Sequence, residues 1–209
     1  MNSALIIVDV QNDFLPGGSL AVPDGDAIIS FVAELMQADQ GYELIVATQD
    51  WHPGKHGSFA STHSGSQPFQ LGELNGLEQV FWPDHCVQGS DGARLQEHIR
   101  NSLIEITKKG QQTLIIKKGQ NVRVDSYSAF YDNAQKHDTG LHRALESYTI
   151  GQVDVVGLAF DYCVKFTALD AVSLGYQTRI LMAGTRAVDP SSVPEITSEL
   201  ETAGVECRR

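Results

Sequence analysis

The segment from Val153 to Val164 constrains the fold of this chain more than any other stretch. It opens with a short apolar run, Val153–Leu158, which predicts a parallel strand buried on both faces. Gly157 and Ala159 leave the backbone uncrowded where the chain turns, and Tyr162–Leu174 then has apolar residues at near-helical spacing. A strand that passes directly into a helix is the building unit of an α/β protein.

Cys163 falls in the first turn of this predicted helix, just after Asp161, which the sequence predicts as the N-cap. The free backbone N–H groups and the positive dipole end at a helix start lower a thiol pKa from about 8.5, and they can also bind an oxyanion. The ordinary alternative is a small cysteine that packs a strand–helix corner. The residues that follow the other predicted strands decide in favour of a reactive thiol.

Strands and helices alternate along all 209 residues. The predicted strands are Ala4–Val10, Glu43–Thr48, Thr113–Lys117, Val153–Leu158, Gln177–Ala183 and Val205–Cys207. The predicted helices are Asp24–Asp39, Arg94–Ile106, Gly140–Ser147, Tyr162–Leu174 and Ser192–Ala203. This order predicts one domain over residues 1–209, with a doubly wound, mainly parallel sheet of about six strands and helices on both faces. Gly54–Gly92 has little periodicity and is expected to cover the strand ends.

Amino-acid composition and net charge exclude several classes of function. The net charge of −11 disfavours binding to nucleic acid or to an anionic membrane, because the chain offers no basic surface for phosphates. Three cysteines without framework spacing fit a reducing compartment. With no basic leader and no long apolar span in the sequence, we expect a cytoplasmic protein. Whether it is a monomer or a homo-oligomer stays open.

Four predicted strands each end near an ionisable side chain. The first carries Asp9 near its end, the second is followed by Asp50 and His52, the third by Lys118, and the central one by Cys163. In doubly wound sheets, ligands bind beyond the carboxyl ends of the strands. These side chains therefore predict an active site at that edge.

Asp9 is placed to take the proton of the Cys163 thiol and to return it to a leaving group. Lys118 is placed to stabilise both groups. Lys117 is a rival, since adjacent strand residues point to opposite faces. We favour Lys118 because it adjoins Gly119 at the turn.

A carboxylate and two imidazoles predict a divalent metal site formed by Asp50, His52 and His85. His56 and Ser58 are further candidate ligands. The alternative is that these histidines are ordinary hydrogen-bonded loop residues. A dinucleotide-binding module, a rival from another class, is disfavoured because no G-x-G-x-x-G follows the first strand.

Several ordered motifs closely resemble those of the nicotinamidases, which are isochorismatase-like cysteine hydrolases. The motifs are Val8–Leu20 (VDVQNDFLPGGSL), Thr48–Pro53 (TQDWHP), Trp82–Val87 (WPDHCV), Lys118-Gly119, Asp125–Phe130 (DSYSAF) and Gly157–Val164 (GLAFDYCV). They extend over essentially the whole chain. The resemblance implies hydrolysis of nicotinamide to nicotinate and ammonia, and of pyrazinamide, in NAD salvage.

The resemblance also implies roles for individual residues. Asp9, Lys118 and Cys163 match the catalytic triad, and Asp50, His52 and His85 match the ligands of one divalent ion, with zinc expected first and iron or manganese as alternatives. The residues that match walls of the substrate ring are Phe14, Leu20, Trp82 and Tyr127. The N–H groups of Ala159 and Cys163 match an oxyanion hole, with a cis peptide between Leu158 and Ala159.

The nearest alternative is another isochorismatase-like hydrolase that acts on a carbamoyl or ureido compound. Such a relative has no obvious use for Asp50, His52 and His85 as metal ligands. A catalytically inactive scaffold is disfavoured because Asp9, Lys118 and Cys163 are all present.

Overall fold

The computed structural model describes residues 1–37 and 40–209. The strands of this part are β1 Asn2–Val8, β2 Leu44–Asp50, β3 Leu71–Leu74, β4 Leu77–Val80, β5 Gln112–Lys118, β6 Ile150–Leu158, β7 Gln177–Arg186 and β8 Glu206–Arg208. The α-helices are α1 Ile29–Leu35, α2 Glu97–Lys108, α3 Leu141–Ser147, α4 Lys165–Ser173 and α5 Val193–Thr202. None of the helices within these described ranges is long and apolar enough to cross a membrane.

Six strands form one parallel sheet in the order β5-β2-β1-β6-β7-β8. The central strand β1 is apolar on both faces, as its unbroken hydrophobic run predicts. Ala4, Ile6 and Val8 pack into a core with α3, α4 and α5, whereas Leu5 and Ile7 pack into a second core with α1 and α2. The predicted doubly wound sheet with helices on both faces is confirmed.

The strand order reverses between β1 and β6. From β1 the chain passes to β2 and β5 on one side of the sheet, whereas β6, β7 and β8 lie on the other side. The connections that follow β1 and β6 therefore diverge and leave a crevice, which is where doubly wound sheets bind ligands. Gly157 permits the close pairing of these strands, because a Cβ at its φ of +114° would lie 2.0 Å from the Val8 carbonyl oxygen.

The stretch 54–92, in which the sequence indicated no clear element, contains an antiparallel hairpin of β3 and β4. Asn75 and Gly76 form its turn with φ values of 54° and 83°, as a type I′ turn requires. The expectation that this stretch contains no regular element was therefore wrong at residues 71–80. The Asn75-Gly76 pair, which is typical of a hairpin turn, was the sequence signal for it.

The start of α4 also differs from the prediction. Five residues, Phe160–Val164, form a π-helical turn before α4, and its N-cap position is Ala159. Asp161 is not the N-cap, because its carboxylate accepts the N–H groups of Val188 and Asp189, both at 2.9 Å. The helix predicted over Asp24–Asp39 is a short 3-10 turn, Gly25–Ile28, followed by α1, and residues 38 and 39 lie outside the described residues.

Candidate active site

Four neighbouring strands bring the predicted catalytic groups to one edge of the sheet. Lys118 ends β5, Asp50 ends β2, Asp9 follows β1, and Cys163 lies in the π-helical turn after β6. Because all four strands are parallel and adjacent, their carboxyl ends meet, and the side chains converge at the crevice between β1 and β6.

Lys118 is the centre of this group. Its Nζ lies 2.6 Å from Asp50 Oδ1, 2.8 Å from Asp9 Oδ2 and 3.3 Å from Cys163 Sγ. It also donates to the carbonyl oxygen of Ser126 at 2.9 Å. Lys117 points the other way and places its Nζ 3.5 Å from the centroid of the Trp51 ring. The structure therefore brings Lys118, and not Lys117, to the thiol.

The buried charges shift one another's protonation. Burial alone would lower the pKa of Lys118, but the carboxylates of Asp50 and Asp9 outweigh it and hold that pKa well above its usual value. Burial alone would raise the pKa of Asp50, but the Lys118 ammonium and the His52 ring hold it well below its usual range. Lys118 and Asp50 therefore form a buried ion pair.

The pKa values of Asp9 and Cys163 are both raised, whereas an acidic group in a simple ion pair has a lowered pKa. Burial raises the pKa of Asp9 against the lowering effect of Lys118. Burial also raises the pKa of the Cys163 thiol well above its usual value, because Lys118 does not outweigh burial and the Asp9 and Asp50 carboxylates. The expectation of a lowered thiol pKa was wrong, since it considered the helix start alone. The thiol keeps its proton at rest, beside a carboxylate whose affinity for a proton is increased.

Thr48 fixes the orientation of Asp9. Its hydroxyl donates to Asp9 Oδ1 at 2.5 Å and accepts the Asp9 backbone N–H at 3.1 Å. Both residues are fully buried, and Asp9 has a φ of 49°. Because Thr48 occupies Oδ1, the other carboxylate oxygen is the one that faces the Lys118 ammonium.

Asp50, His52 and His85 form a group that could hold a metal ion. Asp50 Oδ2 lies 3.6 Å from His52 Nε2 and 3.7 Å from His85 Nε2. Ligand atoms about 2.1 Å from a tetrahedral zinc ion are about 3.4 Å apart, so this spacing fits such an ion.

The tautomers of the two histidines support the same conclusion. The Nδ1 of His52 lies 2.8 Å from the carbonyl oxygen of Gly119, and that of His85 lies 2.8 Å from the carbonyl oxygen of Pro83. A carbonyl oxygen only accepts, so each Nδ1 carries a proton and donates it to that oxygen, and each Nε2 is directed at Asp50. Gly119 makes this arrangement possible, because a Cβ there would lie 2.4 Å from His52 Cε1.

The other two candidate ligands contact each other. His56 Nδ1 lies 2.7 Å from Ser58 Oγ and accepts the Ser58 N–H at 3.2 Å, while Nε2 lies 2.8 Å from the Asn121 carbonyl oxygen. Burial and the neighbouring His52 lower the pKa of His56 to about 4, so its ring is neutral. Both ring nitrogens of His56 are thus engaged by protein atoms.

Gln11, a residue that the sequence analysis did not select, holds the end of β2 in place. Its Oε1 accepts the Asp50 N–H at 2.8 Å, and its Nε2 donates to the carbonyl oxygens of Asp50 at 2.8 Å and Ala93 at 2.9 Å. Asp13 acts similarly on the loop that carries His85, because its Oδ2 accepts the Cys86 N–H at 2.7 Å. The buried side-chain amide of Gln11 and the half-buried carboxylate of Asp13 both support the metal group.

A pocket opens above these groups. Its walls include all four residues predicted to contact a ring, and the complete lining is Phe14, Leu20, Asp50, Trp82, His85, Asp125, Tyr127, Ala159, Tyr162, Cys163 and Val188. The predicted cis peptide between Leu158 and Ala159 is present. The sequence analysis did not select Tyr162, Val188 or Asp125 as site residues. Gln79, from β4, supports the wall by donating to the Tyr127 hydroxyl and to Asp125 Oδ2, both at 3.1 Å.

Comparison with known proteins gives the family. The isochorismatase domain matches residues 3–208 of this chain. The chain belongs to the isochorismatase family. The resemblance predicted from the motifs is thereby confirmed.

Three known proteins of this family are similar over almost their whole length. The nicotinamidase of Escherichia coli K12 is 45% identical over 204 residues, which cover 96% of this chain and 92% of that protein. The crystal structure of the yeast nicotinamidase bound to the inhibitor nicotinaldehyde has a TM-score of 0.92 at 35% identity, covering 99% of each chain. The pyrazinamidase of Pyrococcus horikoshii in complex with zinc has a TM-score of 0.77 at 32% identity, covering 100% of this chain and 99% of the other.

Proposed function

We propose that this protein is a nicotinamidase, a hydrolase that converts nicotinamide to nicotinate and ammonia and that also accepts pyrazinamide. One observation carries the proposal: a buried thiol, its carboxylate partner and a three-ligand metal group meet at a single pocket with aromatic walls. The strong similarity to nicotinamidases from bacteria and yeast supports the same activity. The reaction fits NAD salvage.

We assign the nucleophile to Cys163 and the proton transfers to Asp9. As Cys163 Sγ attacks the carboxamide carbon, its proton passes to Asp9, whose raised pKa makes it a stronger base than an ordinary carboxylate. In the proposed scheme, the N–H groups of Ala159 and Cys163 donate hydrogen bonds to the developing oxyanion. Asp9 then gives its proton to the departing amine, which leaves as ammonia.

The thioester that remains is hydrolysed by water. Asp9, again ionised, takes a proton from the attacking water and returns it to the Cys163 sulfur as the C–S bond breaks. Lys118 stays protonated throughout, because its pKa lies well above the usual value, and it balances the charge that moves between Asp9 and Cys163. Nicotinate leaves and the thiol is restored.

Asp50, His52 and His85 would hold the divalent ion, for which we propose zinc. A bound ion supplies a positive partner for a pyridine-type ring nitrogen, so its contribution is to substrate binding. Phe14, Leu20, Trp82 and Tyr127 would confine the ring while the carboxamide faces Cys163. We further propose that residues 1–209 form a single domain, because two apolar cores pack on opposite faces of one sheet. We also propose that the protein acts in the cytoplasm.

The test is to incubate the purified protein with nicotinamide and to measure ammonia, with a ureido compound as the competing substrate class. We expect ammonia from nicotinamide and little or none from the ureido compound; the reverse preference would support the alternative hydrolase.

Benzamide, which lacks the ring nitrogen, tests the role of the metal. It should be a poor substrate, and chelation should slow nicotinamide hydrolysis toward the benzamide rate. Equal rates for the two amides in the zinc-loaded enzyme would contradict the proposed contact between the ion and the ring.

A further inference from the structure

Asp125 is a buried carboxylate of the pocket that the reaction scheme leaves without a role. It is 3% exposed and lines the pocket together with Asp50, His85 and Cys163. Within residues 1–37 and 40–209, the hydrogen-bond donors to its side chain are two neutral groups, the Ser126 N–H at 2.8 Å and Gln79 Nε2 at 3.1 Å. No lysine or arginine in the described part of the chain forms an ion pair with it. Burying a carboxylate without a cationic partner is unfavourable in free energy, so a positive charge near Asp125 would stabilise the site.

The histidines beside Asp125 indicate where that charge would be. A carboxylate oxygen of Asp125 and ring nitrogens of His52 and His56 all lie within 4.8 Å of one another. His52 also belongs to the group with Asp50 and His85. Asp125 is therefore adjacent to the metal group through His52, but it is not one of the three converging ligands.

The sum of the charges around the pocket also supports a bound cation. The carboxylates that line the pocket or contact Lys118 belong to Asp9, Asp50 and Asp125, and the ammonium of Lys118 opposes them. An imidazole that binds a metal ion is neutral, so in the loaded site the three carboxylates and the one ammonium give the protein two more negative than positive charges. A divalent cation cancels this excess, whereas without Asp125 the loaded site would be left with a positive charge.

We propose that Asp125 is the residue that matches the charge of this site to a divalent ion, acting from outside the three direct ligands. Gln79, from the β3–β4 hairpin, holds it in place. The inference rests on the proposed metal site and extends it to a residue with no part in the proton transfers. Outer groups that hydrogen-bond a metal ligand change metal affinity by about 10–100-fold when they are removed, and we expect the loss of this adjacent charge to have an effect of that size.

The test measures metal affinity directly. Protein stripped of metal is titrated with Zn²⁺ in competition with a chromophoric chelator, and with Co²⁺ while the visible absorption of the bound ion is recorded. Asp125→Asn should bind Zn²⁺ about 10–100-fold more weakly than wild type, while the Co²⁺ bands keep their positions because the direct ligands are unchanged. The matched control is Asp132→Asn: Asp132 is 5% exposed but faces His137, with Nδ1 and Oδ2 2.7 Å apart, and not the pocket. This control should bind Zn²⁺ like wild type.

The inference is overturned if Asp125→Asn binds Zn²⁺ within about threefold of wild type, or if Asp132→Asn weakens binding equally. If Asp125→Asn does not fold, Asp125→Ser removes the same charge with a smaller side chain and carries the same expectation. Failure of the wild-type protein to bind Zn²⁺ would overturn the metal site and this inference together. The ammonia assay on the wild-type protein tests the amidase activity separately.

Discussion

Replacing Lys118 by methionine should destabilise the protein strongly as well as inactivate it. The ammonium lies 2.6 Å from Asp50 Oδ1 and 2.8 Å from Asp9 Oδ2, and its side chain is fully buried. Methionine fills similar space but leaves two carboxylates facing each other without a cation. Removing one partner of a buried ion pair costs about 3–5 kcal/mol, chiefly because the remaining charge is uncompensated. We expect Lys118→Met to lower the free energy of unfolding by that amount.

Two further variants separate charge from packing. Lys117→Met removes a cation above the Trp51 ring, 3.5 Å from its centroid, and should cost about 0.5–1 kcal/mol. Asp9→Asn introduced into Lys118→Met removes one of the orphaned charges. It should restore about 0.5–3 kcal/mol of stability without restoring activity.

The assay is urea unfolding of the metal-free proteins at one pH, followed by the fluorescence of Trp51 and Trp82, together with ammonia release from nicotinamide. Working without metal excludes a contribution from bound ions to stability. If Lys118→Met stays within about 1 kcal/mol of wild type, the buried ion pairs are not what the distances indicate. If Lys117→Met is the more damaging change, the assignment of the two lysines is reversed.

Three other predictions concern the thiol, its base and a tyrosine of the core that contains α3, α4 and α5. Cys163→Ala should keep the fold and lower nicotinamide hydrolysis by more than about 100-fold, as measured by ammonia release, and a smaller loss would contradict covalent catalysis. Thr48→Val removes the hydroxyl that orients Asp9 and should lower kcat more than it raises KM. Thr48→Ser keeps a hydroxyl and should recover most of the rate. Equal effects of the two variants would indicate a packing role. Burial, with a contribution from Glu146, raises the pKa of Tyr176 to about 12. Because the unfolded chain loses this proton at a lower pH than the folded one, the free energy of unfolding should fall as pH rises from about 10 to about 12. Tyr176→Phe should flatten that fall in urea titrations, and an unchanged slope would assign it to other groups.

Much of the site follows from sequence because parallel strands share one edge. Asp9, Asp50 and Lys118 each stand where an apolar run ends, so their convergence needs only the strand assignments and the topology rule. The preference for Lys118 over Lys117 came from its position beside Gly119, and the geometry agrees with it. The catalytic and ligand roles of these residues stay predictions until the variants are measured.

The rest depends on partners that are distant in sequence. Thr48 and Gln11 are ordinary polar residues until the fold places Asp9 and Asp50 beside them. The thiol of Cys163 was predicted from its local helix start, and the two carboxylates that raise its pKa come from other strands. Gln79 was hidden by the missed hairpin, although the Asn-Gly turn gave the local signal for it.

The adjacency of β5, β2, β1 and β6 makes enzyme activity a reporter of the assembly of these four strands. Residues 9, 50, 118 and 163 come from four separate parts of the chain, and β1 pairs with β6 only after some 140 intervening residues have been made. An incomplete chain on the ribosome, or a species with β6 detached, has no carboxylate beside its thiol and no ammonium between its carboxylates. Recovery of ammonia production after refolding from denaturant would therefore measure the fraction of chains in which these four strands have assembled, whereas circular dichroism would also detect chains with partly formed sheets.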